Sequence, residues 1–313
     1  MDKNFKHYQI FSKYPWLNPE NRYGPPYLVI GDDLDSLLSA ALWNYVSDRD
    51  WQVIGVYHKY SEIFTCLQYW SDLDKAIWLD LDVNSFQIKS LGHHLILNRS
   101  SQHLPNNHCN LNYIANITCN DFQRKYPLGT IHFLMYLFDV EIPDRKFARE
   151  MIFSADSSWI NGQAHRFPEN VKYWIDNCIP LLSLKKSQKN LNTLEFEENM
   201  RDYFNHLQKH NIPQGKGQVT SKRLKLTGYQ FQFNPANPQD IERRLALIQS
   251  ITGWEPPQVH RLGQKILGTR KTSKISAINN FNLEKIMEDQ DVFSYVFPHK
   301  GMINYTTGIK LNI

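Results

Sequence analysis

Tyr27-Leu28-Val29-Ile30-Gly31-Asp32-Asp33-Leu34-Asp35-Ser36-Leu37-Leu38-Ser39-Ala40-Ala41-Leu42 is the stretch that decides the fold. Its first four residues are an apolar run bounded by turn residues, which reads as a buried strand. The run stops at Gly31-Asp32-Asp33. From Leu34 the apolar residues fall at Leu37, Leu38, Ala41, Leu42 and Tyr45, the spacing of a helix that ends near Val46. Working outward, Trp51–Tyr57 reads as a second strand and Ala76–Leu81 as a third, again closing on aspartate. Leu95-Ile96-Leu97 is a weaker fourth. Strands separated in this way by helical spacing imply an α/β fold with a parallel sheet and crossover helices. Ligands of such sheets bind outside the carboxyl ends of the strands, where Asp33, Asp35 and Asp80 fall.

Beyond the sheet the pattern turns helical, at Leu128–Phe138, Arg145–Ser154 and Asn170–Asn177. A longer charged helix is expected over Asn192–His210, opened by Thr193 and the acidic residues behind it. The 313 residues suggest two domains. The expected division is a metal-binding α/β domain over 1–190, a connecting helix over 191–213 and a smaller α+β domain over 214–313. In the last, Arg223–Leu226, Tyr229–Phe233 and Val292–Phe297 read as strands and Pro238–Thr252 as a helix.

The net charge is only +4, but it is unevenly spread. Arg201–Asn280 carries 13 Lys and Arg against 4 Asp and Glu, while the rest of the chain is acidic. A basic segment beside carboxylates at strand ends fits a polyanion-binding face next to a metal site, although a solvated basic surface accounts for the charge alone equally well. No apolar run approaches a membrane span, and the polar start lacks the core of a secretory signal. The four cysteines, Cys66, Cys109, Cys119 and Cys178, form no CxxC pair, which argues against a zinc ribbon. Free thiols and a cytoplasmic location are the expectation.

Two carboxylates one residue apart, at the junction of strand and helix, can face one cavity. The helix N-terminus beneath them adds backbone N–H groups and positive potential. Carboxylate oxygens suit hard ions such as Mg2+ and Mn2+. Any one such feature is commonplace: Asp80-Leu81-Asp82 repeats the spacing, and an aspartate after a strand is often only a helix cap. Their order along the chain is more telling. Asp33-Leu34-Asp35-Ser36-Leu37-Leu38-Ser39-Ala40 resembles the D-x-D-G-x-x-S-A motif of the DHH phosphoesterase superfamily, apart from Ser36. Ile77-Trp78-Leu79-Asp80 matches its second motif, Gly92-His93-His94 stands at the D-H-H triplet, and Ser154-Ala155-Asp156 matches the fourth. The resemblance covers about residues 25–160. That superfamily includes RecJ-type exonucleases, oligoribonucleases, cyclic-dinucleotide phosphodiesterases and family II pyrophosphatases.

The resemblance implies one or two Mn2+ or Mg2+ ions. It places Asp33, Asp35, Asp80, His93 and Asp156 as metal ligands, with Asp80 bridging and His94 near the scissile phosphate. It implies a metal-dependent phosphodiesterase acting on single-stranded nucleic acid or short oligonucleotides. Lys222, Arg223, Lys225, Arg270, Lys271 and Lys274 would contact phosphates. Two departures bear on activity. The position two before Asp33, where the family often carries a further ligand, is Gly31, and the triplet's aspartate is Gly92. They leave open a catalytically reduced protein that binds nucleic acid, a protein partner or a second copy of the chain. A small-molecule phosphoesterase is the third reading, and the basic segment weighs against it. Tyr229, Phe231 and Phe233 would share one strand face, as base-stacking rings or, more simply, as core.

Overall fold

Tyr27–Ile30 is a strand, β1, and Leu34–Val46 is a helix in the computed structural model of the chain. The structure describes residues 6–20, 24–213, 221, 223–226, 231–275, 283, 286–287 and 291–311. Lys222 and Tyr229, singled out above, lie outside these residues. The further strands are β2 (Gln52–His58), β3 (Glu62–Thr65), β4 (Ile77–Leu79), β5 (Lys89–Gly92), β6 (His108–Asn110), β7 (Gln258–Val259), β8 (Gln264–Leu267), β9 (Thr269–Lys274), β10 (Val292–His299) and β11 (Met302–Thr307).

Eight strands make one mixed sheet in the order β6-β5-β4-β1-β2-β3-β8, with β7 also paired to β2. All the pairs among β6, β5, β4, β1, β2 and β7 are parallel. The pairs β2–β3 and β3–β8 are antiparallel, a departure from the expected parallel sheet. The reason is local. Only a short turn joins β2 to β3, and such a turn can join antiparallel strands alone. A separate antiparallel sheet has the order β10-β11-β9. The chain beyond residue 213 therefore contributes β7 and β8 to the large sheet and β9–β11 to the small one.

The apolar runs are continuous because the large sheet is covered on both faces. Leu28, Ile30, Ile77 and Leu79 point into the larger buried cluster, and Val29 and Trp78 into the smaller. The helix Leu34–Val46 lies on the first side, against the helix Thr130–Leu137. Every residue from Leu34 to Trp43 is buried, so the small side chains of Ser36, Ser39 and Ala40 let it approach closely. From β1 the sheet runs to β2 on one side and to β4 on the other. That reversal is the point where open sheets form a crevice at their carboxyl ends.

Two expected strands are otherwise built, and the described end of a third, over 231–233, is not a strand. Leu95–Leu97 is buried but forms no strand, with an isolated bridge from Leu97 to Thr118 and a hydrogen bond from Phe297 N to the Leu95 carbonyl, and the fourth parallel strand is β5. β5 was hard to see because Lys89-Ser90-Leu91-Gly92 has one large apolar residue. Arg223–Leu226 is a turn gathered on Ser221, whose hydroxyl accepts from the N–H groups of Leu224 and Leu226. Phe231 and Phe233 are buried core residues outside any strand. The helices Leu194–Lys209, capped by Thr193, and Pro238–Thr252, capped by Asn237, form as their start signals indicate. Among the described residues no helix is long and apolar enough to cross a membrane.

Candidate metal centre

The carboxyl ends of β1, β4 and β5 deliver Asp33, Asp80 and His93 to one place. Asp33 caps the helix Leu34–Val46 in extended backbone, its side chain accepting from Ser36 N at 3.1 Å. Asp35, the second residue of that helix, is fully buried. Its two oxygens accept from Thr130 N at 2.6 Å and Ile131 N at 2.9 Å, at the N-terminus of the helix Thr130–Leu137. That helix terminus holds the carboxylate by hydrogen bonds and by its dipole. Asp80 accepts from Ser36 Oγ and Thr130 Oγ1, both at 2.7 Å. Its backbone is left-handed, with φ 61°, and Asp156 shares this feature with φ 48°.

His93 sits in the middle. Its Nδ1 lies 3.1 Å from Asp80 Oδ1 and 3.7 Å from Asp35 Oδ2, and its Nε2 lies 2.5 Å from Asp156 Oδ2. The His94 ring stacks on it with centroids 4.4 Å apart. Two overlapping groups result, Asp35–Asp80–His93 and His93–His94–Asp156, each with donor atoms within 4.8 Å of one another. Asp33 stands outside both groups but lines the same cleft. Asp32 also lines the cleft, and it pairs with His58 Nδ1 at 2.7 Å. Gly31 provides no ligand; it leaves room for the Ser36 hydroxyl that holds Asp80.

The electrostatics favour a cation. Burial and the charges of Asp80 and Asp156 push the Asp33 and Asp35 carboxyls well above the usual range. Burial opposes a charged His93, but the Asp156 and Asp80 carboxylates outweigh it and raise its pKa. Three carboxylates around one imidazole, with Asp33 lining the same cleft, are short of positive charge, and an oxygen-rich set of this kind fits Mg2+ or Mn2+. A cation at the cluster would oppose these upward shifts, since metal ligands bind deprotonated. A raised carboxyl pKa stabilises the fold fully below the ordinary value near 3.8 and loses that contribution as pH rises through the folded-state value. The metal-free protein is therefore expected to lose thermal stability from these groups as pH rises above about 4. Saturating Mn2+ should reverse the trend in Tm, and an Asp33→Asn/Asp35→Asn variant should flatten it.

Gly129 offers a sharper check. A Cβ there would strike the Asp35 carboxylate at 2.6–2.8 Å. Gly129→Ala is expected to push Asp35 off the helix terminus and weaken Mn2+ binding about 10–100-fold, as loss of a supporting contact does. Titration calorimetry measures this.

The centre floors a cleft of about 460 Å3. Lys125, Arg166 and Arg270 line its walls, with Tyr60, Gln232 and Asn304. Tyr60 comes from the β2–β3 turn, where Lys59 and Tyr60 both have positive φ. Its hydroxyl lies 3.3 Å from His94 Nε2, and the Arg270 guanidinium sits 5.3 Å from its ring centre. Of the basic residues singled out in the sequence, Arg270 alone among the described ones lines the cleft. Lys271 and Lys274 are exposed on β9, and Arg223 and Lys225 are exposed on the Ser221 turn. Lys125, Arg166 and Tyr60 were missed by sequence reasoning, because each belongs to a loop or turn with no pattern around it, and Thr130 because nothing in an apolar helix start marks its hydroxyl as a partner of Asp80. No protein-family model matches the chain, and no curated protein matches it.

Proposed function

We propose that the protein is a metal-dependent phosphodiesterase of the DHH type, acting on single-stranded nucleic acid or short oligonucleotides. The observation that carries the reading is the pairing of two overlapping Asp/His groups on the cleft floor with three cations on its walls. An ion held by Asp35, Asp80 and His93, or by His93, His94 and Asp156, would polarise a phosphoryl oxygen and lower the pKa of a bound water. The chain's own residues do the rest. Lys125, Arg166 and Arg270 bind the phosphate oxygens, with the guanidinium groups suited to two-point contact. His94 is held at the mouth of the metal groups beside the Tyr60 hydroxyl. A volume of about 460 Å3 takes a ligand of nucleotide size, within the usual range of ligand pockets.

The position of Arg270 favours the short end of that substrate range. With Lys271, Lys274, Arg223 and Lys225 outside the cleft, a small phosphoester is the second reading. The test is cleavage of labelled single-stranded DNA and RNA, from dinucleotides to about 20 residues, and of a cyclic dinucleotide, with and without Mn2+. Metal-dependent cleavage of linear substrates, lost in Asp33→Ala/Asp35→Ala, is the expected result. Cleavage of the cyclic compound alone would favour the small-molecule reading. Intact binding with no metal-dependent cleavage of anything in the series would sink the enzyme reading.

A further inference from the structure

Gly92 ends β5 and is followed directly by the histidine pair. A Cβ at this position would overlap three atoms of the Asp82 carboxylate. Asp82 comes from a different strand end, two residues past Asp80, and its side chain is 1 % exposed. Its carboxylate is fully engaged. Oδ2 accepts from His94 N at 3.1 Å and faces His94 Nδ1 at 3.0 Å. Oδ1 accepts from Asn110 Nδ2 at 2.7 Å and faces His108 Nε2 at 2.8 Å. The pair is gripped from the other side too. Asn110 donates to the His94 carbonyl at 2.8 Å and Asn112 to the His93 carbonyl at 2.7 Å.

We infer that Asp82 is the positioning residue of the His93–His94 pair, its carboxylate delivered from the β4 end into the space that Gly92 leaves open. The inference rests on the proposed role of His94 at the cleft. A carboxylate beside Nδ1 accepts a hydrogen bond from Nδ1–H, which fixes the tautomer and turns an unprotonated Nε2 toward the cleft. The hydrogen bond to His94 N fixes the ring's starting point as well as its tilt. Gly92 is thus not a missing group. The carboxylate has moved from the strand that carries the histidines to the neighbouring one, and the two positions exclude each other sterically.

This mutual exclusion supplies the test. Four full-length proteins are compared: wild type, Asp82→Gly, Gly92→Asp and the double variant Asp82→Gly/Gly92→Asp. Asp82→Gly is expected to lower kcat for Mn2+-dependent oligonucleotide cleavage about 10–100-fold with little change in KM. Gly92→Asp alone should also lose activity, since two carboxylates then compete for one space. The double variant should regain at least tenfold over the worse single variant. A folded double variant no better than either single, or a folded Asp82→Gly with wild-type kcat, overturns the inference. A second readout needs no turnover. Nitrogen-15 NMR of labelled histidine, with His94 assigned by comparison with His94→Gln, reports which ring nitrogen carries the proton. Wild type and the double variant should show the Nδ1–H form at mildly alkaline pH, and Asp82→Gly a mixture. An Nε2–H form in wild type overturns the inference even if no substrate is cleaved. Absent cleavage with the expected tautomers would count against the phosphodiesterase reading alone.

Discussion

Asp80→Asn is expected to cut Mn2+-dependent cleavage roughly a thousandfold, the several kcal/mol of charge stabilisation that a bound ion supplies. Asp80 belongs to the Asp35–Asp80–His93 group, and its charge raises the carboxyls of Asp33 and Asp35. The same change should raise the Tm of the metal-free protein. It removes one of four mutually repelling carboxylates, while an amide of the same shape can accept from one of the Ser36 and Thr130 hydroxyls through its oxygen and donate to the other, which rotates to accept. Mn2+ should then give little further increase in Tm. Thermal unfolding with and without the ion separates this from simple misfolding, in which Tm falls and activity is lost together.

Arg244→Ala is expected to cost about 3 kcal/mol in chemical denaturation, the lower end of the range for breaking a buried pair. Arg244 is 2 % exposed. It pairs with Asp240, donates from Nε to the Phe231 carbonyl at 3.2 Å and from Nη2 to the Gln232 carbonyl at 2.9 Å, and lies over the Phe231 ring. Removing it strands two carbonyls that no strand partner satisfies. Arg243 remains on Asp240 at 2.6 Å, which keeps the loss from being larger. The segment it holds touches the site. Phe233 N donates to the Asp32 carbonyl at 3.1 Å, and Gln232 lines the cleft. KM should therefore rise while Mn2+ affinity stays the same. Arg244→Lys should not rescue, since an ammonium cannot reproduce the fork.

The sequence made the sheet's heart legible because burial on both faces writes itself as continuous apolar runs at β1, β2 and β4. The turn of chain direction after each run then placed Asp33, Asp35 and Asp80 at strand ends without any coordinates. β5 escaped notice, since Leu91 is its one large apolar residue. With β5 went the reason His93 reaches the cluster. The Ser221 turn looked like a strand because Leu224 and Leu226 alternate with basic residues, and no local pattern shows that a serine hydroxyl gathers the backbone there. The cleft walls were illegible for a different reason. Lys125, Arg166 and Tyr60 come from separate turns, and their convergence is a property of the packed chain. Asp82 is the instructive case. Its period-two spacing from Asp80 was visible but uninformative, and only the space beside Gly92 gives it a purpose.

Anomalous scattering at the manganese edge, from crystals grown with saturating Mn2+, tests the central claim most directly. The expected result is at least one strong peak within roughly 2.0–2.5 Å of an Asp80 carboxylate oxygen, the range for hard cations, with His93 or Asp35 also bound to it. Saturating Mn2+ with no peak bonded to Asp33, Asp35, Asp80, His93 or Asp156 would contradict a metal centre at this strand-end cluster.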